Sequence, residues 1–293
     1  MKRYQIRYSN STCSIVELDK NDRIWHSYGK PEALERLSQI VKGRAYGGMN
    51  WDYFNMSPSA KQETIGWSYN PIDGFKDFSR GDNFIEIGLK KGGSLVIDDI
   101  PISDAKNYQW VAMGGFTLLQ NGGTIIQKKS YFPNWRYLNP RTAIGQKADG
   151  TIVLMVVDGR RWNERGMTAY TLAKLAKYLG CVDACSGDGG GSSEMYFTDA
   201  KIINRPRYGE RAIGGVLLFD GRLEVPYSGL VRYGSRGLRV KEVQIALGLY
   251  VDGIYGKNTY KAIKRYQWTH GLTVDGIVGR NTWRMMFGPE GVN

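Results

Sequence analysis

The stretch of this sequence best equipped for chemistry is Asp183-Ala-Cys-Ser-Gly-Asp-Gly-Gly-Gly-Ser-Ser-Glu194. It places a carboxylate, Asp188, directly before three glycines and two hydroxyls. Consecutive glycines cost backbone entropy, so something must need the positive φ or the close approach they allow. The functional reading is a catalytic or anion-binding loop in which the N–H groups of Gly189, Gly190 and Gly191, with Ser192, receive a ligand. The plain alternative is a tight turn or linker, which is out of place between two apolar elements. Glu194 either reaches the same site or is turned away by strand alternation. Asp158 closes a continuously apolar run at 151–157 and is followed by Gly159-Arg160, either at an active-site edge or in an ordinary Asp-Gly turn. Arg141 follows Pro140, and Arg211 precedes another apolar run at 215–219. Arg141, Arg160 and Arg211 thus lie beside candidate strands, where guanidinium groups can pair bidentately with anionic oxygens. Arg141 could instead close a salt bridge to Asp158. Asn50 and Asp52 alternate with aromatics in 45–55 and are surface groups or cleft groups, with the preceding Gly47-Gly48 favouring a cleft, unless Asp52 caps a turn. The oxygens of Asp52, Asp158 and Asp188 suit Ca²⁺ or Mg²⁺, but the sequence assigns no metal or other cofactor.

Regular elements must present these groups. Residues 4–8 and 13–18 read as strands, and a helix is expected from Pro31 through Leu34, Leu37, Ile40 and Val41 to Gly43. Hairpins are expected for 84–89 with 94–97, 116–119 with 124–127, and 142–145 with 151–157, from the glycine-bearing turns between them. Thr168 should cap a helix over 169–179 that presents Leu172, Leu175, Ala176 and Leu179 on one face and stops at Gly180. That helix delivers the chain to the glycine loop. Residues 195–197 and 215–219 read as strands.

The chain has 293 residues, a net charge of +12 and 42% hydrophobic residues, enough for a core. The charge calls for an anionic partner. With no Lys/Arg block and no phosphate-cradling nucleotide motif, nucleic acid is not preferred. No run of about 18 apolar residues is present, so no membrane-spanning helix is expected. Residues 1–8 lack the apolar core of a secretory signal, so the expectation is synthesis in the cytoplasm. Cys13, Cys181 and Cys185 read as buried thiols rather than a disulfide framework, although Cys181 and Cys185 could pair.

Near 226–229 the character of the chain changes. Val251-Asp-Gly-Ile-Tyr-Gly-Lys-Asn-Thr259 recurs 23 residues later as Val274-Asp-Gly-Ile-Val-Gly-Arg-Asn-Thr282. Each copy reads as an Asp-Gly turn followed by Asn-Thr capping a helix. Three helices are expected, carrying Val240, Val243 and Leu247; Ala262, Ile263 and Tyr266; and Trp283, Met285 and Met286. Residues 229–293 hold ten Lys/Arg and four Asp/Glu, half of the net charge, so the partner of this module is anionic.

With Gly234-Ser-Arg-Gly237, Val243-Gln244 and Tyr266-Gln267, the doubled unit resembles the three-helix peptidoglycan-binding domain. The larger part resembles the phosphodiester glycosidase family. The resemblance rests on four ordered blocks: Asn50-Trp-Asp-Tyr-Phe54; Asn139-Pro-Arg-Thr-Ala-Ile-Gly145; Val157-Asp-Gly-Arg160 with Gly166-Met-Thr168; and Asp188-Gly-Gly-Gly-Ser-Ser193. Ser186-Gly187 departs from the family, which more often has an Asn-like residue and then an apolar one. The resemblance implies cleavage between an anomeric carbon and a phosphate oxygen, with Asp188 and Asp158 as acid, base or nucleophile, Arg141 as the first phosphate clamp and Arg160 and Arg211 as the next, and Asn50 and Asp52 on sugar hydroxyls or a cation. The expectation is a mixed, sheet-rich α/β catalytic domain over 1–226 and a small all-α wall-binding domain over 229–293. Together they would form an endolysin-like hydrolase acting on peptidoglycan or an anionic wall polymer, released or carried by a phage. The alternative is a non-catalytic wall-binding or virion protein whose glycosidase-like domain only binds sugar.

Overall fold

The computed structural model describes residues 1–28, 34–54, 64–77, 85–123, 133–221, 223–224 and 227–287. The apolar run expected as a central strand, Ile152–Val157, is buried along its whole length. Its side chains alternate between two cores. Ile152, Leu154 and Val156 pack with Trp51, Trp110 and Met195. Val153, Met155 and Val157 pack with Leu172 and Leu175. A strand buried on both faces has no polar positions to show, so its sequence reads as continuous rather than alternating.

This strand lies inside a six-stranded sheet. The order is Lys2–Tyr8, Ser11–Leu18, Ile152–Val157, Arg141–Lys147, Cys181–Ser186, Thr117–Leu119, and every pairing is antiparallel. Ser9 and Asn10, both at positive φ, turn the first hairpin. One face of the sheet is covered by α2 (Ala169–Tyr178), whose Thr168 side chain accepts from the Thr171 N–H and which buries Leu172, Leu175 and Ala176. A five-stranded sheet holds the 85–90/95–98 hairpin. A second runs in the order Lys201–Ile202, Met195–Phe197, Gly47–Asn50, Val216–Asp220, Arg23–Ser27. This larger part is sheet-rich with few helices, as its sequence implied.

Several local expectations change. The expected helix from Pro31 is only α1 (Leu37–Val41), because Glu35–Arg36 pairs instead with Ala212–Ile213; Pro31 lies outside the described residues. Thr117–Leu119 pairs with Cys181–Ser186, and its expected partner at 124–127 also lies outside them. The alternating stretch 45–55 keeps strand geometry only over Gly47–Asn50. All three cysteines are free and buried.

Three helices, α3 (Leu238–Ala246), α4 (Lys257–Thr269) and α5 (Arg280–Phe287), build the C-terminal part around Val240, Val243, Tyr255, Ile263, Val278 and Trp283. The doubled sequence unit is a doubled hydrogen-bond unit. Gln244 Nε2 donates to Asp252 Oδ1 (2.7 Å), the Ile254 carbonyl (3.2 Å) and Thr259 Oγ1 (3.2 Å), and its Oε1 accepts from the Gly253 N–H (2.8 Å). Gln267 repeats this with Asp275 (2.9 Å), Ile277 (3.0 Å), Thr282 (3.3 Å) and Gly276 (2.8 Å). The threonines therefore serve a buried glutamine rather than capping the helices. Asp252 and Asp275 brace the turn by accepting from the N–H two residues on, at 2.8 Å each.

This module is docked on the larger part through α3. Arg3, 1% exposed, donates from Nε and Nη2 to the two Glu242 oxygens at 2.7 Å each, and from Nη1 to Asp199 at 2.8 Å. Lys241 Nζ donates to the carbonyls of Ala200 and Ile202, and Leu238 enters the main core. Burial works to discharge Arg3, but its bonds to Glu242 and Asp199 win and hold the guanidinium charged.

Candidate active site

The glycine loop leaves the end of Cys181–Ser186 and turns through a short 3-10 segment, Gly190–Ser192. The backbone before and within it is gripped from several sides. Gly187 N–H donates to the Thr142 carbonyl (3.0 Å), Asp188 N–H to the Trp51 carbonyl (2.8 Å) and Gly190 N–H to the Pro140 carbonyl (2.9 Å). Asn50 Nδ2 donates to the Asp188 carbonyl at 2.7 Å, while Asn50 Oδ1 accepts from Thr142 Oγ1 and the Glu194 N–H, both at 2.9 Å. The departure at Ser186-Gly187 has a packing reason. A Cβ at Gly187 would sit 2.6 Å from the Trp51 ring, and Ser186 Oγ accepts from the Phe116 N–H at 2.8 Å.

Two of the three glycines make room for an arginine, and the third makes room for the Pro140 carbonyl beside Arg141. A Cβ at Gly190 would lie 3.0 Å from Arg160 Nη2, and one at Gly191 would lie 3.1 Å from Arg211 Nη1. One at Gly189 would lie 3.0 Å from the Pro140 carbonyl and 3.8 Å from Arg141 Cδ. The loop is thus less an N–H nest than a seat for guanidinium groups. Its Gly190 N–H is already used by Pro140, and the Gly189 N–H bonds the Asp188 carboxylate.

Above the loop lies a cavity of about 310 Å³. Asp188, Gly189, Gly190, Gly191, Ser192, Arg141, Arg160 and Arg211 line it together. Arg141 is 6% exposed and is fixed by carbonyls: Nε donates to Met167 (2.8 Å), and Nη2 to Asn134 (2.7 Å) and Tyr137 (2.8 Å). These bonds, not a salt bridge to Asp158, set its position. Burial brings its pKa down to about 10, with neighbouring Arg160 pushing the same way. Arg160, at φ 59, is oriented by Asn139 Oδ1, which accepts from Nε (3.1 Å) and Nη2 (2.9 Å). Gly166 is required beneath Asn139, because a Cβ there would meet the Asn139 carbonyl at 2.4 Å. Asp188 is half-buried. Burial pushes its carboxyl up to about 7 against the lowering pull of Ser192, Arg211 and the Gly189 N–H.

Four other candidates stand outside the cavity lining. Asn50 acts on the Asp188 backbone, as above. Asp52 Oδ2 pairs with His26 Nε2 at 2.8 Å. Asp158, 1% exposed, accepts from the Arg205 N–H (2.7 Å) and Asn204 Nδ2 (3.3 Å), and burial lifts it to about 6. Glu194, fully buried, accepts from the Arg211 N–H at 2.9 Å, and burial lifts it to about 8. Asp52, Asp158 and Glu194 each commit one carboxylate oxygen to a protein partner, while Asp52 Oδ1, Asp158 Oδ2 and Glu194 Oε2 are buried without a hydrogen-bond partner among the described residues. Asp52, Asp158 and Asp188 are not gathered around one ion site. Among the described residues, no group of three or more His, Cys, Asp or Glu is gathered to hold a metal.

The cavity also takes Tyr53, Phe54, Phe116, Asn134 and Asn139. Tyr53, Phe54 and Asn139 sit in the sequence blocks singled out above, but an aromatic beside a polar strand does not reveal which way it faces. Phe116 and Asn134 carry no local signal.

An acid beside three guanidinium groups in a partly aromatic cavity suits a substrate with an anionic group and a ring. The phosphodiester glycosidase family model matches residues 45–219, and a peptidoglycan binding domain model matches residues 236–286. The chain belongs to the phosphodiester glycosidase family. Its fold is that of the catalytic domain of zebrafish N-acetylglucosamine-1-phosphodiester alpha-N-acetylglucosaminidase, auto-inhibited by its pro-peptide. That match has a TM-score of 0.61 and 22% identity, over 75% of this chain and 82% of that one. A hypothetical protein from Synechocystis matches with a TM-score of 0.57 and 12% identity, over 74% of this chain and 61% of that one. Among curated proteins, the SPbeta prophage-derived uncharacterized protein YomE of Bacillus subtilis (strain 168) is 46% identical over 83 residues. The match spans 27% of this chain and only 13% of that relative's length.

A second cavity, of about 480 Å³, lies on the peptidoglycan-binding module between Leu247, Leu249, Ala262 and Tyr266, with Lys261 and Arg265 at its edge. No helix among the described residues is long and apolar enough to cross a membrane.

Proposed function

We propose that this chain is a wall-targeted phosphodiester glycosidase that hydrolyses the bond between a sugar's anomeric carbon and a phosphate oxygen in an anionic bacterial wall polymer. The observation that carries the reading is the gathering of Arg141, Arg160 and Arg211 around Asp188 in one cavity, with Gly190 and Gly191 leaving room for Arg160 and Arg211. Three guanidinium groups neutralise the phosphodiester and the charge that grows on it as the bond breaks. Asp188 faces the sugar. Its ionised form takes the proton of the attacking water, the water oxygen bonds to the anomeric carbon, and the C–O electron pair leaves with the phosphate monoester. A phosphate oxygen leaves well without protonation, so a single carboxylate in the cavity suffices. Asn50, Asp158 and Glu194 are positioning residues: they hold the backbone of Asp188, Arg205 and Arg211 respectively.

The C-terminal module concentrates the enzyme on the wall, with Lys261 and Arg265 facing the polymer's anionic groups. The prophage-derived relative supports a phage origin, and with the peptidoglycan-binding match it favours an endolysin-type role for this hydrolase. Asp188→Ala should abolish release of free sugar from a soluble sugar 1-phosphodiester while leaving pelleting with purified walls intact. Unchanged release would remove Asp188 from the reaction. Pelleting without release by the unmutated protein would favour a sugar-binding, non-catalytic domain.

A further inference from the structure

Two surface turns adjoin cavity arginines in sequence: one carries Arg160, and the other ends two residues before Arg211. The first runs through Arg160 to Glu164 and closes with paired backbone bonds between Arg161 and Glu164, at 2.9 and 3.2 Å. At its tip Trp162 is 93% exposed. The second runs through Pro206 to Gly209, with Gly209 N–H bonded to the Pro206 carbonyl. Here Tyr208 is 79% exposed and lies against the Arg207 guanidinium, 5.2 Å from the ring centre. Arg211 follows two residues later.

Neither turn is loose. Arg161 Nη2 donates to the Pro206 carbonyl at 3.0 Å, tying one turn to the other. Buried Glu164 accepts from the Thr12 N–H (2.6 Å), Thr12 Oγ1 (2.9 Å) and Arg7 Nη1 (3.0 Å), and Arg7 Nη2 donates to the Asn163 carbonyl (2.8 Å). Asp158 fixes the entry to the second turn through the Arg205 N–H. Two exposed aromatics on turns tied to each other, each within two or three residues of a cavity arginine, offer a pair of ring faces for stacking. Rigid presentation lowers the entropy lost when a ligand stacks on it. Arg160 and Trp162 are two residues apart, so their Cα atoms lie within about 7.6 Å.

We infer that Trp162 and Tyr208 form a rim subsite that stacks on the sugar rings flanking the scissile phosphodiester, making the enzyme a reader of polymer rather than of isolated sugar phosphates. The inference rests on the proposed hydrolysis at the Asp188 cavity. Its occupant is a chain of sugars joined by phosphodiesters. Rings meet the two aromatics, and the charges between them meet the arginines that lie in and beside the two turns (Arg160, Arg161, Arg205, Arg207 and Arg211).

The test uses soluble oligomers of one, two and three sugar-phosphate repeats. For the unmutated chain, kcat/KM should rise tenfold or more from one repeat to three, mainly through KM. The Trp162→Ala, Tyr208→Ala double variant should lose that rise, keep the single-repeat value and keep its melting temperature, and Trp162→Phe should restore most of the rise. Single-repeat turnover with no length dependence, or with a length dependence the double variant retains, overturns the rim subsite alone. No turnover of any oligomer by the unmutated chain overturns the hydrolase reading and this inference with it.

Discussion

Asn50 holds Asp188 by its backbone and not by its carboxylate: Nδ2 of Asn50 donates to the Asp188 carbonyl at 2.7 Å. The same amide accepts from Thr142 Oγ1 and from the Glu194 N–H, so one buried side chain joins the strand before the cavity, the sheet beneath it and the end of the glycine loop. Replacing Asn50 with Ala leaves three polar groups unpaired, each costing about 1–3 kcal/mol when buried. Asn50→Ala should lower stability by at least about 2 kcal/mol in a denaturant titration. It should also lower kcat tenfold or more with little change in KM, because the arginines remain in place.

The Asp188 carboxyl is raised from its ordinary 3.8 to about 7 by burial. If its ionised form takes the water proton, kcat/KM should climb tenfold per pH unit below about 7 and level off above it. The effect on stability has the opposite direction. Between pH 4 and 7 the folded protein keeps a proton that the unfolded chain has lost, so this group weakens folding as pH rises through that window. Asp188→Asn should therefore be inactive yet more stable at pH 8 by about 1–3 kcal/mol, with the gain vanishing near pH 4. An Asp188→Asn protein that is less stable than the parent at pH 8 contradicts the buried acid.

Gly190 is at φ +65, and a Cβ there would press on the end of the Arg160 side chain. Gly190→Ala should cost about 1–2 kcal/mol of stability from the left-handed backbone and raise KM for a phosphodiester by displacing Arg160. The comparison is Arg160→Met, which should show the same KM rise without the stability loss. Gly190→Ala with an unchanged KM would show that Arg160 does not hold the substrate.

The bidentate bond from Arg3 to Glu242 joins the sheet domain to the wall-binding module. Glu242→Leu strands a buried guanidinium that keeps only Asp199 as an acidic partner, and should cost about 3 kcal/mol. Docking through Leu238 and Glu242 also means that deleting the module uncovers core surface. Wall targeting is therefore better tested by Lys261→Ala with Arg265→Ala, which should weaken pelleting with purified walls severalfold and leave turnover of a small soluble diester unchanged. Pelleting at the parent level would place wall recognition elsewhere on the module.

The regular elements were legible where one physical signal dominated. The Thr168 cap, the apolar face of the following helix and Gly180 defined α2. The unbroken apolar run ending at Val157 marked a strand buried on both sides. The 23-residue repeat marked the C-terminal module, although its threonines looked like caps because the buried Gln244 and Gln267 they serve lie 15 residues earlier in sequence. Asp188 and its arginines could be nominated from residue type and position, but the reason for three glycines could not. It depends on where the Pro140 carbonyl, Arg160 and Arg211 come to rest from three separate segments. Asp158 and Asn50 looked like ligand groups because the sequence shows a polar residue near a strand end without showing its partners, the Asn204 side chain and Arg205 N–H for Asp158 and the Asp188 carbonyl for Asn50. The Trp162 and Tyr208 turns carried no periodic signal, and their tie at Pro206 exists only in three dimensions.

The central claim concerns which bond breaks. Turnover of a soluble sugar 1-phosphodiester in ¹⁸O-water, with mass analysis of both products, tests it directly. Attack of water at the anomeric carbon predicts one ¹⁸O in the released sugar and none in the phosphate monoester. Label in the phosphate would mean cleavage between phosphorus and oxygen, and would contradict the assignment of Asp188 to the sugar and the arginines to the leaving phosphate.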